Sequence, residues 1–241
     1  VGFQGLWGRC HETSGAPPYW PWSQALASYI RTLDPDQLQM EAEGRAAGIA
    51  QIVPEIQRAV ANVGPPLALE DPEVARFRLL ESVATFLRNG ALAQPLLLVL
   101  DDLHWADKSS LALLEFLAHE MPAARLLLLC TYRDVEVTRD HPLAHTLGDL
   151  VRVPGFRKVL LRGMTCEETG QLIGTVSGFV PPAEVVKAIQ SHTEGNPLFT
   201  TEVVRLLVQE GTLVEKGMLA DSCREMRVPE SVRMAIGRRL A

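Results

Sequence analysis

The chain has 241 residues, 47% hydrophobic and 22% charged, enough for one large domain or two small ones around a sizeable core. A net charge of −6 argues against a broad electrostatic grip on nucleic acid. The four cysteines form no CxxC pair, no apolar run reaches the ~20 residues of a membrane span, and no signal-peptide pattern is visible, so the expectation is a cytoplasmic protein without membrane contact.

Residues 2–10 mix glycines and aromatics in a short run that reads as a strand. The loop Gly15-Ala16-Pro17-Pro18-Tyr19-Trp20-Pro21-Trp22 follows, and Pro21 suits the first position of a helix. Leu26, Tyr29, Ile30 and Leu33 recur at helical spacing and predict a helix over 21–33. The clustered aromatics read as anchors of the loop on the core, or else as a recognition surface. Asp34-Pro35 opens another helix, and Gly64-Pro65-Pro66 closes a less regular segment. Asp71-Pro72-Glu73 combines an N-cap acid, a proline at the first position and an acid at the positive end of the helix dipole. Val74, Phe77, Leu80, Ala84 and Leu87 line one face of the predicted helix, and Asn89-Gly90 is its expected end.

The most informative stretch is Leu96-Leu97-Leu98-Val99-Leu100-Asp101-Asp102-Leu103-His104-Trp105-Ala106-Asp107. Five apolar residues running into two carboxylates read as a strand buried on both faces, with the acids at its carboxyl end. Open α/β sheets bind ligands there, and paired carboxylates suit a hard cation such as Mg²⁺. On these residues alone, a buried strand running into a solvated acidic turn is equally acceptable. Asp107 or Ser109 can cap a helix to about 120, with Leu111, Leu114, Leu117 and Met121 as its buried stripe. Arg125-Leu126-Leu127-Leu128-Leu129-Cys130 predicts a second buried strand, ending in Thr131-Tyr132-Arg133-Asp134. Helix, buried strand, helix, buried strand is the pattern of a parallel sheet with crossover helices. An acidic ending beside a cationic one favours a phosphate-and-metal site over chance placement.

Lys158-Val159-Leu160-Leu161 predicts a third strand of this kind. Helical signals then take over. Thr165-Cys166-Glu167-Glu168 fits a capping box, and Pro182 opens a helix with Val185, Val186, Ile189 and His192. His192 reads most simply as a capping or packing residue. Asn196 caps and Pro197 opens a helix carrying Val203, Leu206 and Leu207, ended by Gly211. Pro229-Glu230-Ser231 opens a last helix.

In order and spacing, these stretches resemble the ATPase module of the STAND class of AAA+-related P-loop NTPases, as found in LuxR-type and cyclase-linked bacterial regulators. The resemblance rests on Leu6-Trp7-Gly8-Arg9-Cys10, Ala16-Pro17-Pro18-Tyr19-Trp20-Pro21-Trp22, Leu97 through Asp107, Thr131-Tyr132-Arg133-Asp134 and Thr193-Glu194-Gly195-Asn196-Pro197-Leu198-Phe199. It implies an α/β fold: a P-loop NTPase-like parallel sheet over 1–162, a helical lid over 163–210 and the start of a winged-helix domain over 211–241. It implies ATP and Mg²⁺ as ligands. Asp101 then corresponds to the Walker B acid that holds the metal through water. Asp102 corresponds to the acid that orients or activates the attacking water, and Arg133 to a sensor of the γ-phosphate. Asn196 and Pro197 correspond to the lid motif whose proline packs near the adenine. Trp105 reads as packing under the turn. The partners implied are nucleotide and attached output domains, DNA-binding or cyclase, and self-association is compatible with the likeness.

The departure is the Walker A motif. No G-x-x-x-x-G-K-[ST] occurs in the chain, so the amides, lysine and hydroxyl that grip the phosphates are missing. In the family this loop and its central strand precede the Leu6–Cys10 strand. With Val1 in place of a Met, the expectation is a fragment cut before Walker A, inactive by itself. A degenerate, nucleotide-free interaction scaffold is the other reading. A third, a DNA-binding regulator, rests on the tail's Arg224, Arg227, Arg233, Arg238 and Arg239, which more often form a solvated helix face.

Overall fold

Three parallel strands form the sheet: β1 (Gln4–Arg9), β2 (Leu96–Asp101) and β3 (Leu126–Cys130), in the order β1-β2-β3. They belong to a computed structural model that describes residues 2–12, 15–60, 71–120, 124–211, 213–214 and 217–218. The chain divides into two compact units, Val1–Arg157 and Lys158–Ala241. No helix among the described residues is long and apolar enough to cross a membrane.

The central strand explains the first unit. Leu96, Leu98, Val99 and Leu100 of β2 are all buried, as an uninterrupted apolar run requires. Its register pairs Arg9 of β1 with Asp101, and Leu100 with Cys130 of β3. Leu6 and Leu98 sit side by side and buried within the helix-packed core. The opposite face of the sheet is open. Trp7, Leu127 and Leu129 are 59%, 52% and 49% exposed, and Trp7 and Leu129 flank Val99 in the register. β3 is therefore not the fully buried strand its leucines predict, because the face that carries Leu127 and Leu129 is left exposed.

The helices of the first unit are α1 (Trp20–Ile30), α2 (Pro35–Ala42), α3 (Ala46–Ile49), α4 (Ile56–Ala59), α5 (Pro72–Ala93), α6 (Lys108–Glu120) and α7 (Pro142–Leu150). Trp22 is fully buried in α1, and its indole Nε1 donates to Ser110 O at 3.0 Å, pinning α1 to α6. The aromatic loop is thus anchored through this residue. In α2, Asp34 and Gln37 form a reciprocal capping box. Asp71 Oδ1 accepts the Glu73 N–H at 2.8 Å and opens α5, as the Asp-Pro-Glu signal predicts.

The expected end of that helix is wrong. α5 continues past Asn89-Gly90 to Ala93. Gly90 is there for packing: a Cβ would lie 2.2 Å from the Tyr29 hydroxyl. The apolar stripe is covered only from Leu80 onward. Leu80, Ala84 and Leu87 are buried with Val83 and Phe86, whereas Val74 and Phe77 are exposed. Met121, assigned to the stripe of α6, lies outside the described residues.

The hydroxyl beside Gly90 has a buried partner. Tyr29 Oη donates to Glu41 Oε2 at 2.8 Å. Burial pushes both groups above their ordinary pKa values, and for Glu41 the hydrogen bond from Tyr29 works in the opposite direction. A carboxyl raised on folding binds its proton more tightly in the native state, so stability falls as pH rises through the ordinary carboxylate range. Tyr29→Phe removes the hydrogen bond that offsets this cost. It is expected to destabilise the protein by about 1–3 kcal/mol at pH 7, and by less near pH 4.5, in urea titrations. An equal loss at both pH values would mean that Glu41 is already protonated at neutrality.

The second unit is helical: α8 (Cys166–Ser177), α9 (Ala183–Thr193) and α10 (Pro197–Gln209), then the hairpin β4 (Leu213–Val214) and β5 (Gly217–Met218). Ile173, Val185, Val186, Ile189, Val203, Val204 and Leu207 form its core. Thr165 and Glu168 make the expected capping box. His192 is exposed, its Nδ1 2.8 Å from Ala188 O, and it takes no part in the core. The strand expected at Lys158–Leu161 is absent: the segment pairs with no described strand, and Val159 and Leu161 are 77% and 88% exposed. A continuous apolar run needs cover on both faces to form a buried strand, and no described residue supplies it. The start of a winged-helix domain and the helix at Pro229 fall outside the described residues, the hairpin apart.

Candidate functional site

At the carboxyl end of β2 the chain turns sharply. Asp102 adopts a left-handed conformation, φ 59° and ψ 44°, which aspartate tolerates better than most side chains. A short 3₁₀ turn, Leu103–Trp105, follows at once. Asp107 then caps α6, accepting the N–H groups of Ser109 and Ser110 at 2.9 and 3.0 Å. Asp107 is therefore structural, and Asp101 and Asp102 are the acids presented at the strand end.

Thr131, the first residue after β3, ties both acids together. Its hydroxyl donates to Asp101 Oδ1, and the Asp102 N–H donates to Thr131 Oγ1 at 3.1 Å. The Leu103 N–H closes the turn on Thr131 O at 2.8 Å. No described group bonds the second oxygen of Asp101, so it keeps an acceptor for a metal-bound water. Among the described residues, no three His, Cys, Asp or Glu side chains gather into a metal cage. This donor set suits Mg²⁺, which is held by one or two carboxylates together with substrate phosphates rather than by a closed protein site.

Asp102 is held from the other side. Arg9, at the end of β1, donates to Asp102 Oδ2 through Nε at 2.9 Å and Nη2 at 2.8 Å. The parallel register that places Arg9 beside Asp101 delivers this contact. Neither Arg9 nor Thr131 is marked as a site residue by its own sequence surroundings. Both stand inside the motifs quoted above, and adjacency of the strand ends in the sheet is the signal that finds them.

Arg133 lies two residues beyond Thr131. Its guanidinium bonds Glu136 Oε1 at 2.7 Å and sits 5.5 Å from the centroid of the Trp105 ring. Trp105 also packs against His104, ring centroids 4.4 Å apart. Burial lowers the pKa of His104 and so favours the neutral imidazole, with Glu136 and Asp102 pulling the other way. Burial pushes both Cys10 and Cys130 up to about 12, and the acids near Cys10 add to its shift.

Asp101 and Asp102 thus stand at the end of β2, tied by Thr131 to the end of β3, and Arg133 follows two residues later with its guanidinium on Glu136. Asn196 and Pro197 lie in the second unit, at the start of α10. The Asn196 side chain accepts the N–H groups of Leu198 and Phe199 at 3.0 and 3.3 Å, and Pro197 is exposed. The turn before them is pinned: the Met164 N–H donates to Gly195 O at 2.8 Å, and a Cβ on Gly195 would lie 2.4 Å from Met164 O. With φ +71°, Gly195 has two reasons to be glycine.

No curated protein and no solved structure matches the chain. A family model described as "AAA ATPase domain" matches residues 1–129, more than half of the chain. The match takes in β1, α1, Asp101 and Asp102, and stops short of Arg133 and the second unit. The chain belongs to the AAA ATPase domain family, and with it to the P-loop nucleotide-binding class.

Proposed function

We propose that this chain is the nucleotide switch of a STAND-class regulator, an ATP-binding and slowly hydrolysing module whose nucleotide state controls attached output domains. The observation that carries the reading is the pair of carboxylates at the end of the central parallel strand, bridged by Thr131 and followed on the next strand by Arg133. Asp101 would hold Mg²⁺ through water. Bound there, Mg²⁺ would supply positive charge to offset that of the nucleotide's phosphates. Asp102 orients the attacking water and accepts its proton. Arg133 places positive charge where the transferring phosphoryl group spreads its negative charge.

No G-x-x-x-x-G-K-[ST] occurs in the chain, so in this reading another segment supplies the phosphate grip. The exposed face at Trp7, Leu127 and Leu129 and the outer edge of β3, which no described strand pairs, leave room for a further strand and helix such as a Walker A strand and its loop. The missing G-x-x-x-x-G-K-[ST] favours a second reading, a nucleotide-free scaffold. Calorimetric titration of ATP, with and without Mg²⁺, into the protein extended upstream of Val1 separates the two. Mg²⁺-dependent binding supports the switch, and no binding supports the scaffold.

A further inference from the structure

The turn after β3 brings a carboxylate onto the arginine that the ATPase reading assigns to the γ-phosphate. Asp134–Glu136 is a single 3₁₀ turn, so residue 136 folds back beside residue 133. Glu136 Oε1 takes the Arg133 guanidinium at 2.7 Å. The second oxygen, Oε2, is 3.5 Å from His104 Nε2. The Arg133 N–H donates to His104 Nδ1 at 3.4 Å, so the neutral ring carries its proton on Nε2. That Nε2 is buried and has no hydrogen-bond partner among the described residues. The Trp105 ring supports both groups, with Arg133 5.5 Å from its centroid and the tilted His104 ring 4.4 Å away.

We propose that Glu136 is a positioning residue that competes with the γ-phosphate for Arg133. It holds the guanidinium on Trp105 while no triphosphate is present and takes it back after hydrolysis. This rests on the reading of the site as an ATPase centre and goes beyond it in naming what Arg133 must leave. The exchange is cheap because the carboxylate is not stranded when Arg133 departs. A small movement brings Glu136 onto the unsatisfied N–H of His104. The pair is half-exposed, so its grip is weak enough for a phosphate to win. A diphosphate, with no γ-phosphate to offer, leaves the pair intact.

The test measures ATP and ADP affinities of the full-length protein with Mg²⁺, for Glu136→Gln, Arg133→Ala and the double variant. Glu136→Gln keeps the shape and removes the charge. It is expected to tighten ATP about two- to fivefold, leave ADP unchanged, and lose this effect in the Arg133→Ala background. If Arg133→Ala weakens ATP but Glu136→Gln changes nothing, the competition is wrong and the ATPase reading stands. If the Glu136→Gln effect persists without Arg133, Glu136 acts only as a nearby charge, and the proposal falls. If Arg133→Ala leaves ATP affinity and turnover untouched, Arg133 loses its assigned role and the proposal falls with it.

Discussion

Asp102→Asn slows ATP hydrolysis by about 100-fold or more in the upstream-extended protein, with ATP affinity changed by less than about threefold. The backbone tolerates the change. Asparagine accepts the left-handed conformation of position 102 as readily as aspartate does. Its Oδ1 can still accept from Arg9, and its N–H still reaches Thr131. What disappears is a carboxylate able to take a proton from water. Asp101, which serves the metal in this account, keeps its hydrogen bond from Thr131. Steady-state turnover and equilibrium binding on the same preparation check the split. Unchanged turnover would remove Asp102 from the role.

Trp22→Ala costs about 3–5 kcal/mol in folding stability. Trp22 is 0% exposed, the largest of the fully buried side chains among the described residues. Its loss opens a cavity between α1 and the rest of the core. It also leaves the buried Ser110 carbonyl without its 3.0 Å donor. Because Ser110 is held by Asp107, the damage reaches the turn that carries Asp101 and Asp102. Urea titration should show a lower midpoint at a similar slope. A loss under about 1 kcal/mol would mean that α1 is not anchored through this residue.

Helix starts were legible in the sequence because they depend on chemistry within four residues. Asp71-Pro72, Thr165 with Glu168, and Asn196-Pro197 each place a cap where the structure has one. The strand β2 was legible for a similar reason, since a five-residue apolar run closed by acids has few other uses. What depends on distant partners was not legible. Gly90 looks like a helix end, but its missing Cβ makes room for Tyr29, sixty-one positions earlier in the chain. Lys158–Leu161 has the composition of a strand and no described strand to pair with. Val74 and Phe77 fit the helical period, yet they sit on turns of α5 that the core does not cover.

The site divides along the same line. Asp101, Asp102 and Arg133 could be named from the residues that end their strands, because strand ends in a parallel sheet gather. The groups that restrain them, Arg9, Thr131 and Glu136, could not. Arg9 reaches Asp102 only through the β1–β2 register, and Glu136 reaches Arg133 only through a turn whose tightness the sequence does not announce.

Equilibrium titration of Mg·ATP into residues 1–241 and into the upstream-extended protein tests the account most directly. The extended protein should bind, should weaken when Mg²⁺ is chelated, and should weaken likewise in Asp101→Asn. Residues 1–241 should bind weakly or not at all, because Asp101 and Arg133 act on phosphates that another segment must hold. Tight Mg·ATP binding by residues 1–241 alone would contradict the account, since the phosphate grip would then lie within this chain.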